Sequence, residues 1–563
     1  MNSTPTRVLR GLTALLAVLA VVAYISYLAI YVSYAVDLFR WPFDYDQGEG
    51  FELYDAILYA QGEWPYRDNA TFPFYASNYP PLFHLLIVPL LPIFGPRLIA
   101  GRAVSFAATI VTAVTIAVVV RRAIRDPGRG WMTEWLIPAI SGLGFLASNY
   151  VYQIGPLSRM HMTLVMFETL AIVFVADFED PQHGTRNLIL GLFMLLCAGY
   201  TKQTAIFTVA AALSYVFLRD MKRAVISGLG LAVTAGVIFW LINIATDGAW
   251  WVNIIQANVN AFDYRQTIFL FRQWLHLHTL FVILAAGYVV YELFWDRLSV
   301  YSLWFFFALG VGALSGKWGA GFGYFTTAVA AACLASGLAL GKLWKKVKGS
   351  EFSIPRLRLP ARPLLAVTIP LLYLFQAPRM LHLPTSGPVF GAASRALGVE
   401  EQLVYGKGDN LAPSHCAPVE YHDAMGYTQL GHPLTPEDYA AGERIMDYVH
   451  STAGPILSEE AMFSILADKP VVTNPTQLLN LYNNGLLDTS EIIGHVNRQT
   501  FDLVIFRAQF YPPPVLEAIG QNYQPVDHIC MNGFYYHILR PREGPAVASR
   551  LPDPDTLRQG GLR

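Results

Sequence analysis

The chain has 563 residues, of which 54% are hydrophobic and 14% charged, and its mean hydropathy is +0.38. An ordinary soluble protein is roughly 45–50% apolar and about 25% charged, so a disordered chain, a collagen and a disulfide-built secreted domain are excluded and a water-soluble enzyme of this size is disfavoured. A net charge of −1 gives no basic field for nucleic acid, and four scattered cysteines give no metal spacing.

A bilayer core of about 30 Å needs about 20 mostly apolar residues per helix. Such runs occur at 8–36, 97–120, 135–153, 162–177, 224–245, 274–295, 298–316, 324–343 and 363–378. The first follows Arg7 and Arg10 but is too long for the apolar core of a signal peptide, and no small-residue cleavage site follows it. It reads as a retained helix with its N-terminus inside. The stretch 187–218 is too long for one span. Its centre, Gly199-Tyr200-Thr201-Lys202-Gln203-Thr204, is polar enough to be the apex of a hairpin. The count is then about 11 spans. With the hairpin in place, Arg121, Arg122, Arg125, Arg129, Arg219, Lys222, Arg223 and the basic residues of 342–362 fall on one side. The positive-inside rule makes that side cytoplasmic, so segment 37–96, loop 246–273, loop 317–323 and the chain beyond 379 face outward. Residues 1–378 form the membrane domain, with 37–96 as its outer loop.

Residues 379–542 read as an outer α/β domain. Strands are expected at 456–458, 470–473 and 503–506, helices at 459–467, 476–483 and 490–499, and a closing hairpin at 524–540. No Gly-x-Gly-x-x-Gly turn points to a nucleotide. Cys416 and Cys530 both lie here, and one disulfide or two thiols remain open. The tail 543–563, rich in Pro, Arg and Gly, reads as disordered.

The chemistry gathers in the loops that face outward. After the first span comes Asp44-Tyr45-Asp46-Gln47-Gly48-Glu49-Gly50-Phe51-Glu52, four carboxylates in nine residues. A helical turn would put Asp46 and Glu49 on one face. One could take a proton from an acceptor hydroxyl while the other orients it, or the two could hold a divalent cation. A solvated loop capping the next helix explains the same residues. Tyr66, Trp64 and Asn78-Tyr79-Pro80-Pro81 are either an interfacial aromatic belt or a pocket wall. Arg102, Arg159 with His161, Lys202 with Gln203, Arg265 and Lys317 form a cationic set on the same side. A charge near a membrane helix needs a partner or a task. Lys202 suits a phosphate, or a salt bridge to a loop carboxylate. The glycines of Gly316-Lys317-Trp318-Gly319 would let backbone N–H groups approach an anion, and His161 is either a ligand contact or a packed core residue. Carboxylates and cations on one face meet the needs of glycosyl transfer from a lipid phosphate: a base for the acceptor and fixed positive charge for the departing phosphate.

These motifs also carry a resemblance. Asp46-Gln47-Gly48-Glu49-Gly50, Gly62 with Tyr66-Arg67-Asp68, Asn78-Tyr79-Pro80-Pro81-Leu82, Thr201-Lys202-Gln203-Thr204 and Gly316-Lys317-x-Gly319 resemble the GT-C membrane glycosyltransferases. That group uses polyprenyl-phosphate sugars and holds the protein O-mannosyltransferases and lipid A aminoarabinose transferases; the likeness, over about residues 8–345, is greatest to the RgtA/B/C/D-like bacterial members. It implies a sugar moved from a polyprenyl phosphate to a lipid, glycan or protein acceptor, with inversion at the anomeric carbon. It implies Asp46 as the base, Glu49 supporting it or binding a metal, Lys202 on the lipid phosphate, and Arg159 and Lys317 assisting. His161 replaces an acidic residue often found two after the arginine, and Gly323 replaces a common Asn before Tyr324. The competing class is a transporter or lipid flippase, which would want an internal repeat and charges at the bilayer midplane. No repeat is visible, and the charges gather on one face.

Overall fold

In the computed structural model, residues 4–125, 131–347, 351–354, 357–380, 392, 434–532 and 534–543 are described. Among them, four helices are long and apolar enough to cross a membrane: Val8–Arg40, Ile99–Ile124, Met221–Ala245 and Phe322–Lys346. Five shorter apolar helices accompany them, and Tyr264–Leu277 with Thr279–Trp295 makes a bent pair. The chain is a multi-pass membrane protein. Helix Met221–Ala245 turns Leu229, Val233, Val237 and Trp240 outward, as a lipid-facing helix does. Helix Thr326–Lys346 is the opposite case. Its run of Ala, Gly, Ser and Thr is buried almost throughout, and small residues let neighbouring backbones come close. A Cβ on Gly337 would lie 2.3 Å from Ser141 Oγ. Glu168, buried between helices, accepts hydrogen bonds from the hydroxyls of Thr208 (2.7 Å) and Thr327 (2.6 Å) and so ties three helices together.

The hairpin is present. Helix Gly184–Thr201 stops at Lys202, whose backbone is extended (φ −159°, ψ 138°), and the chain returns through Gln203–Ala205 and Ile206–Arg219. The return is marked at its far end, where Arg219 Nε lies 3.5 Å from Glu179, just before the hairpin begins. Basic residues collect at this same end. Arg297 reaches Glu179 (3.9 Å), Lys342 pairs with Glu292 and Asp296, and Lys345 donates to the carbonyl of Ala123.

The stretch 274–295 is not one continuous helix. Helices Tyr264–Leu277 and Thr279–Trp295 meet at His278 with a bend of 95°. A broken helix leaves backbone groups without partners. Gln376 supplies them, donating to the carbonyl of Leu277 (2.6 Å) and accepting from the N–H of Leu280 (2.9 Å).

Strands β1 (Glu351–Ile354) and β2 (Leu357–Pro360) pair antiparallel by themselves. Beyond residue 434, β3 (Ile456–Ser458), β4 (Leu503–Phe506), β5 (Tyr523–Met531) and β6 (Phe534–Pro541) form a four-stranded sheet in the order β3-β4-β6-β5. Strands β3 and β4 pair in parallel, while β6 runs antiparallel to both β4 and β5. Helices Ala461–Leu466, Pro475–Asn483 and Ser490–Asn497 fall near their expected places. The strand expected at 470–473 does not form in this sheet. Pro470 lacks the N–H a ladder needs, and Thr473 instead makes an isolated bridge to Phe74 of the first long loop. Cys530 is disulfide-bonded, and Cys197 and Cys333 are free; Cys416, like nearly all of the 543–563 tail, lies outside the described residues.

Candidate active site

The first helix, α1 (Thr4–Arg40), ends where Trp41-Pro42 cannot continue it. The chain then turns through Asp44–Gln47 into α2 (Glu49–Ala60). One buried ion pair sets this turn. Arg102 gives Nε and Nη2 to the two oxygens of Glu49 (2.8 Å each) and its remaining N–H groups to the carbonyls of Leu38, Trp41 and Phe43. Glu49 also accepts the backbone N–H groups of Ser158 (2.7 Å), Tyr45 (3.0 Å) and Asp46 (3.3 Å). Burial raises its pKa, but Arg102 and these donors outweigh that and leave it lowered. Two expectations change here. Arg102 does not reach a ligand, because every N–H of its guanidinium is used on protein. Glu49 has both oxygens occupied, so neither metal binding nor orientation of an acceptor has a free atom on it.

Asp46 is different. It is buried just ahead of α2, and its Oδ2 lies 2.9 Å from Arg159 Nε. No hydrogen-bond donor reaches its Oδ1 among the described residues. Burial pushes its pKa up to about 6, against the pull of Arg159 and with a further push from Glu49. Gly48 makes the approach of Arg159 possible, since a Cβ there would fall 1.8 Å from its Nη1. Arg159 also reaches Glu52 (3.2 Å), whose other oxygen meets His84 Nε2 (2.5 Å).

Lys202, at the hairpin apex, donates to His161 Nε2 (2.9 Å) and sits 4.7 Å from the ring centre of Tyr324 and 5.9 Å from that of Tyr79. It makes no salt bridge to a carboxylate among the described residues. Lys317 has no hydrogen-bond or ionic partner for its ammonium among them either. Gly319 turns the following loop with φ +78°, a value that favours glycine.

Arg159, Lys202 and Lys317 line one cavity of about 320 Å³, together with Glu52, Gln203, Asn78 and Tyr79. A smaller recess of about 40 Å³ shares Arg159, Lys202 and Tyr79 with it and adds Asp46 and His161. Ile206, Phe207, Ile254, Ile255 and Leu314 give the cavity an apolar flank, of which Ile206, Ile255 and Leu314 are exposed at the surface. Arg265 is exposed on its helix and lines neither space.

The sequence reading missed two groups. Arg507 of the β4 end donates to Glu460 (2.6 Å) and to the carbonyl of Tyr45 (3.4 Å), and its charge acts on Asp46. Asn532 donates to the same carbonyl (3.0 Å), and the N–H of Met462 to Asp44 (3.2 Å). The second group is Glu52, Asp55 and His84, all buried, whose ligand-type atoms lie within 4.8 Å of one another. The signal was there for Glu52, one of the four loop carboxylates; His84 lies 32 residues further along.

No family model and no curated protein matches the sequence. Solved structures do match the fold. ArnT from Cupriavidus metallidurans in the apo state superposes with a TM-score of 0.56 over 91% of this chain and 97% of its own, at 13% identity. The chain has the GT-C fold. The same ArnT bound to undecaprenyl phosphate gives 0.56 at 12% identity, with the same coverage of both chains. An oligosaccharyltransferase from Archaeoglobus fulgidus gives 0.48 at 12% identity, over 91% of this chain and 73% of its own, too low to bear on the site.

Proposed function

We propose that the protein is a membrane glycosyltransferase that moves a sugar from a polyprenyl phosphate to a lipid, glycan or protein acceptor. The observation that carries this reading is that Arg159, Lys202 and Lys317 line one cavity with apolar side chains among its lining, and that Asp46 lines an adjoining recess which shares Arg159 and Lys202 with it. The shared fold with a protein bound to undecaprenyl phosphate is consistent with it. Asp46 takes the proton of the acceptor hydroxyl, and the acceptor oxygen forms its bond to the anomeric carbon. The bond from that carbon to the phosphate oxygen breaks, and the phosphate leaves with the electron pair. Lys202, Lys317 and Arg159 stabilise the growing charge, a task fixed cations perform without reorganisation. The prenyl tail leaves past Ile206, Ile255 and Leu314. Attack by the acceptor itself would invert the anomeric centre.

In this reading residues 1–378 are the catalytic membrane domain and 379–542 an outer domain. The end of the bundle carrying Arg219, Lys342 and Lys345 is cytoplasmic, the N-terminus lies inside, and the site opens to the outer face of the cell membrane. A divalent cation, if one takes part, has Glu52, Asp55 and His84 as its ligand set rather than Asp46 with Glu49. No step above is routed through it.

Mass spectrometry of lipids that co-purify with the protein tests the donor. Polyprenyl phosphate or its sugar adduct is expected on the wild type and is expected to fall at least about tenfold in Lys202→Ala, the loss of one charge-assisted contact. Wild-type protein that carries none, even after the lipid is supplied, would overturn the reading.

A further inference from the structure

Besides the three cations and Glu52, the cavity lining is neutral and rich in side-chain amides and hydroxyls. Gln47, Asn78, Thr204, Asn260, Thr476 and Asn480 all line it. They come from both parts of the chain, the last two from helix Pro475–Asn483. Several are incompletely bonded. Gln47 Nε2, Thr204 Oγ1 and Asn260 Oδ1 are buried with no hydrogen-bond partner among the described residues, and the side-chain amides of Asn78 and Asn480 make no hydrogen bond there either. Buried polar groups are normally satisfied. Groups that both donate and accept, left open on one wall, suit a ligand that offers many hydroxyls. Trp318 lines the same space and offers an aromatic face to the C–H side of a sugar ring.

We propose that this wall is the subsite for the transferred sugar and that the sugar is uncharged. This rests on the glycosyltransferase reading and adds a substrate class to it. Among the described residues, an ammonium on the sugar would find no carboxylate without a cationic partner in the cavity lining, where Glu52 is the acidic residue. Of the carboxylates at the site, Glu52 is held by Arg159 and His84, and Asp46 faces Arg159. A carboxylate on the sugar would compete with the departing phosphate for Arg159, Lys202 and Lys317, the cations of the cavity lining. With those engaged by phosphate it would have only neutral amides and hydroxyls, which offset its desolvation poorly.

The test measures binding to the purified full-length protein in detergent. The probes are undecaprenyl phosphate alone and its conjugates with glucose, with aminoarabinose and with galacturonate. The glucose conjugate is expected to bind at least about tenfold tighter than the bare lipid, the worth of one or two net hydrogen bonds. The two charged conjugates are expected to show no such gain. Asn480→Leu is expected to reduce the gain to less than about threefold while leaving the bare lipid unaffected, and Asn480→Asp to shift preference toward aminoarabinose. Glucose conjugate that binds no tighter than bare lipid, a charged conjugate that binds tightest, or a full gain retained in both variants would overturn the subsite. Bare lipid that fails to bind the wild type would overturn the glycosyltransferase reading instead.

Discussion

Ionisation and basicity compete at a buried carboxylate. Asp46 is enclosed, which disfavours its charge, while Arg159 at 2.9 Å favours it. The balance leaves a pKa of about 6, far enough above the usual aspartate value of about 3.9 to make a better proton acceptor and still ionised at neutral pH. Asp46→Asn keeps the shape and removes the carboxylate proposed as the base. Transfer is expected to fall by about 10²–10⁴-fold with the melting temperature nearly unchanged; turnover above a few per cent of wild type would remove Asp46 from the role. The pH dependence has a definite sign. A base works only when unprotonated, so transfer measured under kcat/KM conditions should be nearly full from about one pH unit above 6, half-maximal near 6, and lower still as pH drops further. A rate independent of pH between 5 and 8 would contradict this.

At the scale of elements, the junction of α1 and α2 converts sequence into site geometry. Helix α2 begins at Gly48, and its first turn carries Glu49 and Glu52, which suit the positive end of a helix. Glu49 goes inward to Arg102 and Glu52 toward Arg159, so two carboxylates three residues apart do different work. Gly48 is the residue that lets Arg159 cross above the helix start. In Gly48→Ala the obstacle is the tip of a flexible side chain, so the fold should survive while Arg159 is displaced from Asp46. Transfer is expected to drop at least about tenfold with only a small loss of thermal stability, since φ −101° at this N-cap is open to any residue and alanine caps a helix somewhat less well than glycine. Unchanged activity would mean that the contact of Arg159 with Asp46 is dispensable. The Lys202 break was legible because an ammonium cannot sit in the middle of an apolar helix without cost. The bend at His278 was not. The amide of Gln376, almost 100 residues away, satisfies backbone there that a continuous helix would have satisfied itself.

Across the whole molecule, the sequence is most informative where a residue is costly by itself. Apolar runs and the isolated charges of Lys202, Lys317 and Arg159 stand out for that reason, and all three cations line the cavity. Pairing is another matter. Nothing in spacing says that Arg102 will consume Glu49, 53 residues away, or that Arg507 will reach the turn at Tyr45 across 462. The second of these contacts ties the chain after strand β4 (Leu503–Phe506) to the turn that carries Asp46.

Arg507 tests that connection directly. Its guanidinium is buried over the ring of Phe534 (3.7 Å), bonded to Glu460 and held against the carbonyl of Tyr45, the residue before the base. Its charge lowers the pKa of Asp46, and Glu460, itself raised by burial, is held down by it. In Arg507→Gln the cation is gone, so Asp46 should be protonated more readily and the acid limb of the activity profile should move to higher pH. Glu460, left buried without its partner, should take up a proton, because an unpaired buried charge costs about 3–5 kcal/mol. Activity at pH 6 is therefore expected to fall several-fold relative to pH 8, while lipid bound at Lys202 is retained. A merely structural role for Arg507 would lower stability and activity equally at every pH. A uniform loss would show that the outer domain braces the turn without tuning the base, whereas a displaced limb would establish that a residue more than 450 positions downstream sets the pH at which Asp46 works.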